Sequence, residues 1–172
     1  VSEKAWEASA KMPAPTARNV WFWRDGAALP FSSTNVSRDD LCSKPDGMYS
    51  GMKVCGKLKD YAADDATAVS YLLGDTTQED RNDTGKLRDR TTVLGDIINS
   101  TPLLTSPTDD YGYRRLGNVG ASYIDYLTTK RKDRRYMVYA GANDGMLHAF
   151  DGGMGEDGAL DANGGKELFA YV

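Results

Sequence analysis

The densest apolar pattern in the chain lies at Tyr136 to Asp151, YMVYAGANDGMLHAFD. Two runs of aromatic, β-branched and small residues flank a polar turn there. Tyr136 to Ala140 and Met146 to Phe150 read as strands. Asn143-Asp144-Gly145 between them tolerates the positive φ of a tight hairpin. Neither run alternates with polar residues, so the pattern predicts a hairpin held between layers. Ser100 to Leu104, with Pro102 at its start, and Gly165 to Val172 add a strand on either side. Four antiparallel strands are therefore expected over the C-terminal half.

The rest of the chain is patterned more weakly. Arg18 to Trp23, RNVWFW, predicts a strand, Arg24-Asp25-Gly26 a turn, and Ala27 to Phe31 a return strand limited by Pro30. A short helix is expected around Ala5 and Trp6. Residues 32 to 60 read as a polar, turn-rich loop. Asp64-Asp65 open a helix whose apolar positions Ala66, Val69, Leu72 and Leu73 recur at helical spacing, and Gly74 stops it. Residues 75 to 92, DTTQEDRNDTGKLRDRTT, carry no apolar period and read as a structureless linker. Tyr123, Tyr126 and Leu127 predict a short amphipathic helix after a loop over residues 105 to 118.

Charge and chemistry narrow the functional classes. The chain has 172 residues and a formal net charge of −4, with no basic stripe to neutralise phosphates, so no nucleic-acid partner is expected. The run Lys130-Arg131-Lys132 with Arg134-Arg135 reads as a solvated helix end or loop. No apolar run reaches the length of a membrane-spanning helix. The sequence starts without methionine and ends where a strand finishes, as a piece of a longer protein would. His148 is the only histidine. That rules out multi-histidine metal sites, and its place inside an apolar run favours a structural role over a catalytic one. Glu156, Asp157, Asp161 and Asn163 form an acidic loop, but Ala159 falls at an alternate position and the spacing departs from a calcium loop. No catalytic, cofactor or metal residue is assigned.

Two resemblances follow from the C-terminal residues. The order of Ser100-Thr101-Pro102, Asn143-Asp144-Gly145, Ala149-x-Asp151 and Gly165-Lys166-Glu167 resembles the tryptophan-docking repeat of quinoprotein-like β-propellers. Phe169 stands where that repeat usually has tryptophan, and residues 152 to 164 form a long insert. More narrowly, LGDIINSTPLL (94 to 104), VYAGANDGMLHAFD (138 to 151) and GKELFAYV (165 to 172) resemble the opening of the propeller domain in the PilC/PilY family of type IV pilus proteins. YLLGD (71 to 75) and Arg88-x-Arg90 are also similar, so the likeness spans about residues 60 to 172.

The resemblance implies a mainly β fold. Residues 93–172 would be the first four-stranded blade of a quinoprotein-like β-propeller, and residues 1–92 an irregular α/β segment with short helices and a linker. Asn143, Asp144, Gly145, Ala149, Asp151, Gly165 and Phe169 would be structural blade residues. It implies an exported, non-enzymatic surface protein supporting pilus biogenesis and adhesion. Minor pilins or other tip components, a host or abiotic surface, and the remaining blades of a parent chain would be its partners. Calcium is possible elsewhere in such a parent, with no cofactor in this segment. Cys42 and Cys55 close a segment carrying Pro45, Gly47 and Gly51; since the resemblance implies export, a disulfide between them is expected, the alternative being two buried thiols in a cytosolic protein. The rival classes are a quinone-dependent dehydrogenase, which would use the same blade pattern, and an outer-membrane assembly scaffold.

Overall fold

The computed structural model describes residues 4–42, 56–131, 134–155 and 158–172. Six strands form in it: β1 (Val20–Arg24), β2 (Ala27–Pro30), β3 (Leu103–Thr105), β4 (Met137–Gly141), β5 (Leu147–Asp151) and β6 (Glu167–Tyr171). They make one mixed sheet in the order β2-β1-β6-β5-β4-β3. The last four are an antiparallel meander, with Val138 opposite Phe150 and Tyr139 between Leu103 and Ala149. The mainly β expectation holds, but the sheet is wider than four strands. The hairpin of β1 and β2 joins it through a parallel pairing of Val20 with Ala170 and Trp21 with Tyr171. The sheet thus runs across position 92.

The turn between β4 and β5 explains the hairpin signal. Gly145 sits at φ 86°, with its N–H donating to the Ala142 carbonyl at 3.1 Å. Among the residues of that turn only Gly145 has positive φ. Its substitution by valine places a β-branched side chain in a left-handed conformation, which should cost about 1–3 kcal/mol. Urea denaturation of the Gly145→Val chain checks this; an unchanged midpoint would contradict it.

Among the described residues four α-helices form: α1 (Arg38–Leu41), α2 (Gly56–Tyr61), α3 (Asp65–Leu73) and α4 (Asn118–Tyr126). α3 forms where expected. Asp64 accepts from the Thr67 N–H at 2.8 Å, and Gly74 closes the helix at φ 114°. α4 covers Tyr123 and Tyr126 and runs into a π turn over Leu127–Arg131. The helix expected around Ala5 and Trp6 is instead a 3-10 turn at Ala8–Lys11. The expected loop over residues 32 to 60 contains α1, whose Ser37 and Asp40 form a reciprocal capping box, and α2. Cys42 is the C-cap of α1, and Cys55 lies outside the described residues.

Register divides the sheet into two faces. One carries Val20, Phe22, His148, Phe150 and Ala170, all buried. Val69 on α3, Met146, Phe31 and Val36 pack there, with Leu72 and Leu73 against them. The other face carries Leu103, Tyr139, Ala149, Leu147, Phe169, Tyr171, Trp21 and Trp23. Leu103 and Trp23 are each 61% exposed there, and Leu147 and Tyr171 are also exposed. Ala149, beneath the edge-to-face rings of Tyr139 and Phe169 at 6.4 Å, and Asp151 at the end of β5 are the covered positions on this face. The hairpin is therefore covered on one side only, not on both as its pattern implied.

Residues 75 to 92 correct the linker expectation. They fold around Glu79, which is 0% exposed. Its carboxylate pairs with Arg90 at 2.7 Å and with Arg81. Arg90 also donates to the carbonyls of Tyr71 at 2.6 Å and Asp75 at 2.8 Å, and it stacks over the Tyr71 ring at 3.9 Å. Leu87 is buried beside them. Charge pairing orders this segment in place of apolar periodicity, so a hydrophobic pattern could not reveal it.

Candidate functional site

Four ionisable side chains from separate parts of the chain meet under the covered face of the sheet. Arg18 precedes β1, Asp144 lies in the β4–β5 turn, His148 is in β5, and Glu167 begins β6. The Arg18 guanidinium meets the Glu167 carboxylate in a two-pronged pair, 2.8 Å on each prong. Both side chains are shut off from solvent, at 1% and 0% exposure. A third N–H of Arg18 donates to the Leu73 carbonyl at 3.2 Å, fastening the end of α3 to the same point. A bulge between Ala149 and Phe150 in the β5–β6 ladder puts Glu167 opposite Phe150, on the face that carries His148.

His148 is engaged on both ring nitrogens. Nδ1 lies 2.7 Å from Glu167 Oε1, and Nε2 lies 3.1 Å from each Asp144 oxygen. Its ring stacks on Phe150 at 5.5 Å. Asp144 also accepts the backbone N–H groups of Gly95 at 2.9 Å and Met146 at 3.1 Å. Burial opposes the charged form of all three groups, yet the contacts prevail. The His148 pKa is raised by Asp144 and Glu167 against that burial. Asp144 is lowered by His148 and by the Gly95 and Met146 amides. Glu167 is lowered by His148 and Arg18. With both nitrogens donating, the imidazolium completes two cations against two carboxylates. The arrangement holds a proton on His148 and leaves neither nitrogen a lone pair for base catalysis. His148 was expected in apolar surroundings. It sits among charges instead, because the β4–β5 turn and the bulged β6 bring carboxylates to it.

The second set of site residues surrounds the end of β5. Asp151, 1% exposed, pairs with Arg135 and accepts the Gly153 N–H at 2.8 Å. Its carbonyl accepts from Gly165 at 2.8 Å. Gly153, Gly164 and Gly165 form a floor under Trp6, whose indole N–H donates to the Gly152 carbonyl at 3.2 Å. A tryptophan thus does dock on the repeat-like residues, but it comes from the N-terminal segment, while Phe169 packs on Tyr139. A Cβ on Gly164 would lie 2.5 Å from Trp6 Cδ1. Gly164→Ala should therefore cost about 1–3 kcal/mol through overpacking. The same substitution in a Trp6→Ala background should cost much less, and equal costs in both backgrounds would show that Trp6 does not rest there.

Asn143 donates its backbone N–H to the Asp96 carbonyl at 3.0 Å, so the segment before β3 is tied to the β4–β5 turn twice, through Asn143 and Asp144. A cavity of about 610 Å³ opens beside that tie, lined by Tyr71, Arg88, Arg90, Gly95 and Asp144. Asp144 is the quartet's one solvent-facing member, with its side chain 20% exposed. In the acidic loop, Asp161 accepts the Asn163 N–H, while Glu156 and Asp157 lie outside the described residues. Among the described residues no group of three or more acidic, histidine or cysteine side chains is placed to hold a metal ion. Sequence reasoning missed Arg18, Trp6, Glu79 and Arg90. Their partners are distant in the chain, and although Asp144, His148, Glu167 and Arg90 fall inside strings that resemble the family, those strings do not reveal the ion pairs.

Comparison with known proteins gives a consistent answer. A type IV pilus biogenesis factor PilY1 homolog of Xylella fastidiosa (strain Temecula1) is 42% identical over 111 residues, 64% of this chain and 8% of the relative. Type IV pilus biogenesis factor PilY1 of Pseudomonas aeruginosa strain PAK is 33% identical over 104 residues, 60% of this chain and 8% of that protein. The protein of the same name from P. aeruginosa strain UCBPP-PA14 is 30% identical over 159 residues, 85% of this chain and 12% of the relative. The chain therefore spans roughly a tenth of the length of these relatives. No family model matches the sequence, and no solved structure matches it. The aligned relatives, together with the strings at 94–104, 138–151 and 165–172, place this chain in the PilC/PilY family.

Proposed function

We propose that this chain contributes a scaffold blade to an exported type IV pilus biogenesis factor. The carrying observation is the meander of β3 to β6, whose face bearing His148, Phe150 and Ala170 is packed while the opposite face exposes Leu103, Leu147 and Tyr171. An exposed face rich in aromatic and aliphatic side chains is unusual on a finished domain and fits a sheet that stacks on a neighbouring sheet. The names of the relatives support pilus biogenesis as the process. On this reading the blade holds shape, minor pilins or other tip components bind the parent, and adhesion to a host or abiotic surface comes from parts inserted between strands.

Nothing in the quartet favours an enzyme: its histidine is fixed by two carboxylates. The rival quinone-dependent dehydrogenase predicts stoichiometric quinone uptake, visible by absorbance. The scaffold reading predicts none. In a parent protein, Phe169→Asp should place a charge on the stacking face and lower the amount of surface pili recovered by shearing. Normal piliation with the variant parent at its usual level would contradict the scaffold reading.

Export also carries the Cys42–Cys55 pairing. Under denaturing, non-reducing conditions both cysteines of the exported protein should resist alkylation. Labelling of both would rule the bridge out.

A further inference from the structure

Asn163-Gly164 is the chain's one Asn-Gly pair, and it lies in the turn that leads into β6. Asn163 is exposed, and its side-chain amide has no hydrogen-bond partner among the described residues. Its backbone is held: the N–H donates to the Asp161 carboxylate at 2.6 Å, and the carbonyl accepts from the Lys166 N–H at 2.9 Å. Gly164 is buried between Trp6 and Gly153, and its N–H donates to no acceptor among the described residues. Other asparagine amides are pinned. Those of Asn35 and Asn82 donate to the carbonyls of Pro30 at 2.9 Å and Thr76 at 2.6 Å. Asn99 is exposed like Asn163 and equally unbonded among the described residues, but Ser100 follows it and carries a Cβ beside the backbone nitrogen.

We propose that Asn163 is a self-modification site: the Gly164 nitrogen attacks its side chain, and the product releases Trp6 from its glycine floor. The Gly164 nitrogen bonds to Asn163 Cγ while the Cγ–Nδ2 bond breaks. The proton of the attacking N–H goes with the departing amide, which leaves as ammonia, and a succinimide ring closes. Glycine favours this step because no side chain obstructs its nitrogen. Water then opens the ring at one carbonyl or the other, giving aspartate or isoaspartate. The sum is one water in and one ammonia out, with no redox partner. Isoaspartate routes the main chain through Cβ and Cγ and so adds a backbone atom directly before Gly164. That position has no slack: a Cβ on Gly164 would already lie 2.5 Å from Trp6 Cδ1 and 2.9 Å from the Gly153 Cα. A shift of Gly164 therefore unseats the indole. The N-terminal segment is tied here by that seat and by Lys11, which donates to the Ala162 carbonyl at 2.9 Å, one residue before the modified position. This inference stands apart from the blade reading, since it does not use the open face of the sheet.

The test is incubation of the full 172-residue chain in mildly alkaline buffer, followed by tryptic peptide mass spectrometry and enzymatic methylation of isoaspartate. Conversion is expected at Asn163 before any other asparagine, Asn99 included. Brief trypsin digestion of the folded chain should then cut after Lys11 about tenfold faster, in step with the isoaspartate content. Asn163→Gln should stay unconverted and keep its resistance through the same incubation, because its longer side chain closes a less favourable ring. Asn163→Asp places the same charge on an ordinary backbone, and before incubation it should resist cleavage after Lys11 as the original does. No conversion at Asn163, or conversion no faster than at Asn99, would overturn the proposal. Conversion that leaves cleavage after Lys11 unchanged would overturn it too. Fast cleavage of freshly made Asn163→Asp would assign the release to charge and overturn the added backbone atom as its cause.

Discussion

Arg18→Ala should destabilise the chain by about 3–5 kcal/mol, because it leaves the Glu167 carboxylate buried beside His148 without its strongest counter-charge. A domain of this size has roughly 5–15 kcal/mol in total, so the loss is a large share. The effect should reach three elements together. Arg18 fastens the strand leading into β1, the last carbonyl of α3 and the first residue of β6. The double variant Arg18→Met with Glu167→Leu removes both charges and should be less harmful than Arg18→Ala alone. Urea denaturation of the three chains at neutral pH decides this. An Arg18→Ala loss below about 1 kcal/mol, the range of surface pairs, would mean that the pair is not buried in solution.

The quartet also sets a pH window. His148 has a raised pKa in the fold, so its contribution is fully present below its unfolded value near 6.5 and is lost as pH rises through the folded value. Asp144 and Glu167 are lowered, so theirs is present above about pH 4 and is lost as pH falls through their folded values. Stability should therefore be greatest between about pH 4.5 and 6.5. In His148→Gln the decline on the alkaline side should flatten, while a smaller acid limb remains from Glu167 with Arg18 and from Asp144 with the Gly95 and Met146 amides. A variant that keeps the same alkaline decline would assign it to another group.

The second large effect is expected at Glu79. Glu79→Ala removes a carboxylate with no exposed surface and leaves Arg90, with its side chain 11% exposed, with the carbonyls of Tyr71 and Asp75 and the Tyr71 ring but no counter-charge. The cost should again be about 3–5 kcal/mol, concentrated in residues 75 to 92. Limited trypsin digestion reads it directly. The original chain should resist cleavage at Arg81, Lys86, Arg88 and Arg90, and Glu79→Ala should be cut there first. Equal digestion of the two chains would return this stretch to the linker that its composition suggested.

Sequence and structure agree where local physics dominates. The β4–β5 hairpin follows from apolar runs around Asn143-Asp144-Gly145, and α3 follows from Asp64 and Gly74 at its ends. The pairing of β1 with β6 was not legible, because parallel pairing of strands far apart in sequence leaves no turn signal between them. Glu79, Arg90 and Arg18 were illegible for a related reason. A buried charge looks like a solvated one until its partner is known, and here the partners lie 11 residues away for Glu79–Arg90 and 149 for Arg18–Glu167. His148 was read as a structural residue inside an apolar run, and its surroundings are ionic instead. The tryptophan position of the repeat pointed to Phe169, whereas the indole that docks belongs to Trp6, in a stretch with no periodic pattern.

On the proposed scaffold reading, the open face bearing Trp21, Trp23, Leu147 and Phe169 stacks inside a larger β-propeller. An experimental structure of a parent protein that contains this segment tests it most directly. A second β-sheet should stack on this face at about 10 Å, with Trp23 and Leu147 buried beneath it. A parent in which those residues face solvent, or are covered by anything other than a sheet, would contradict it.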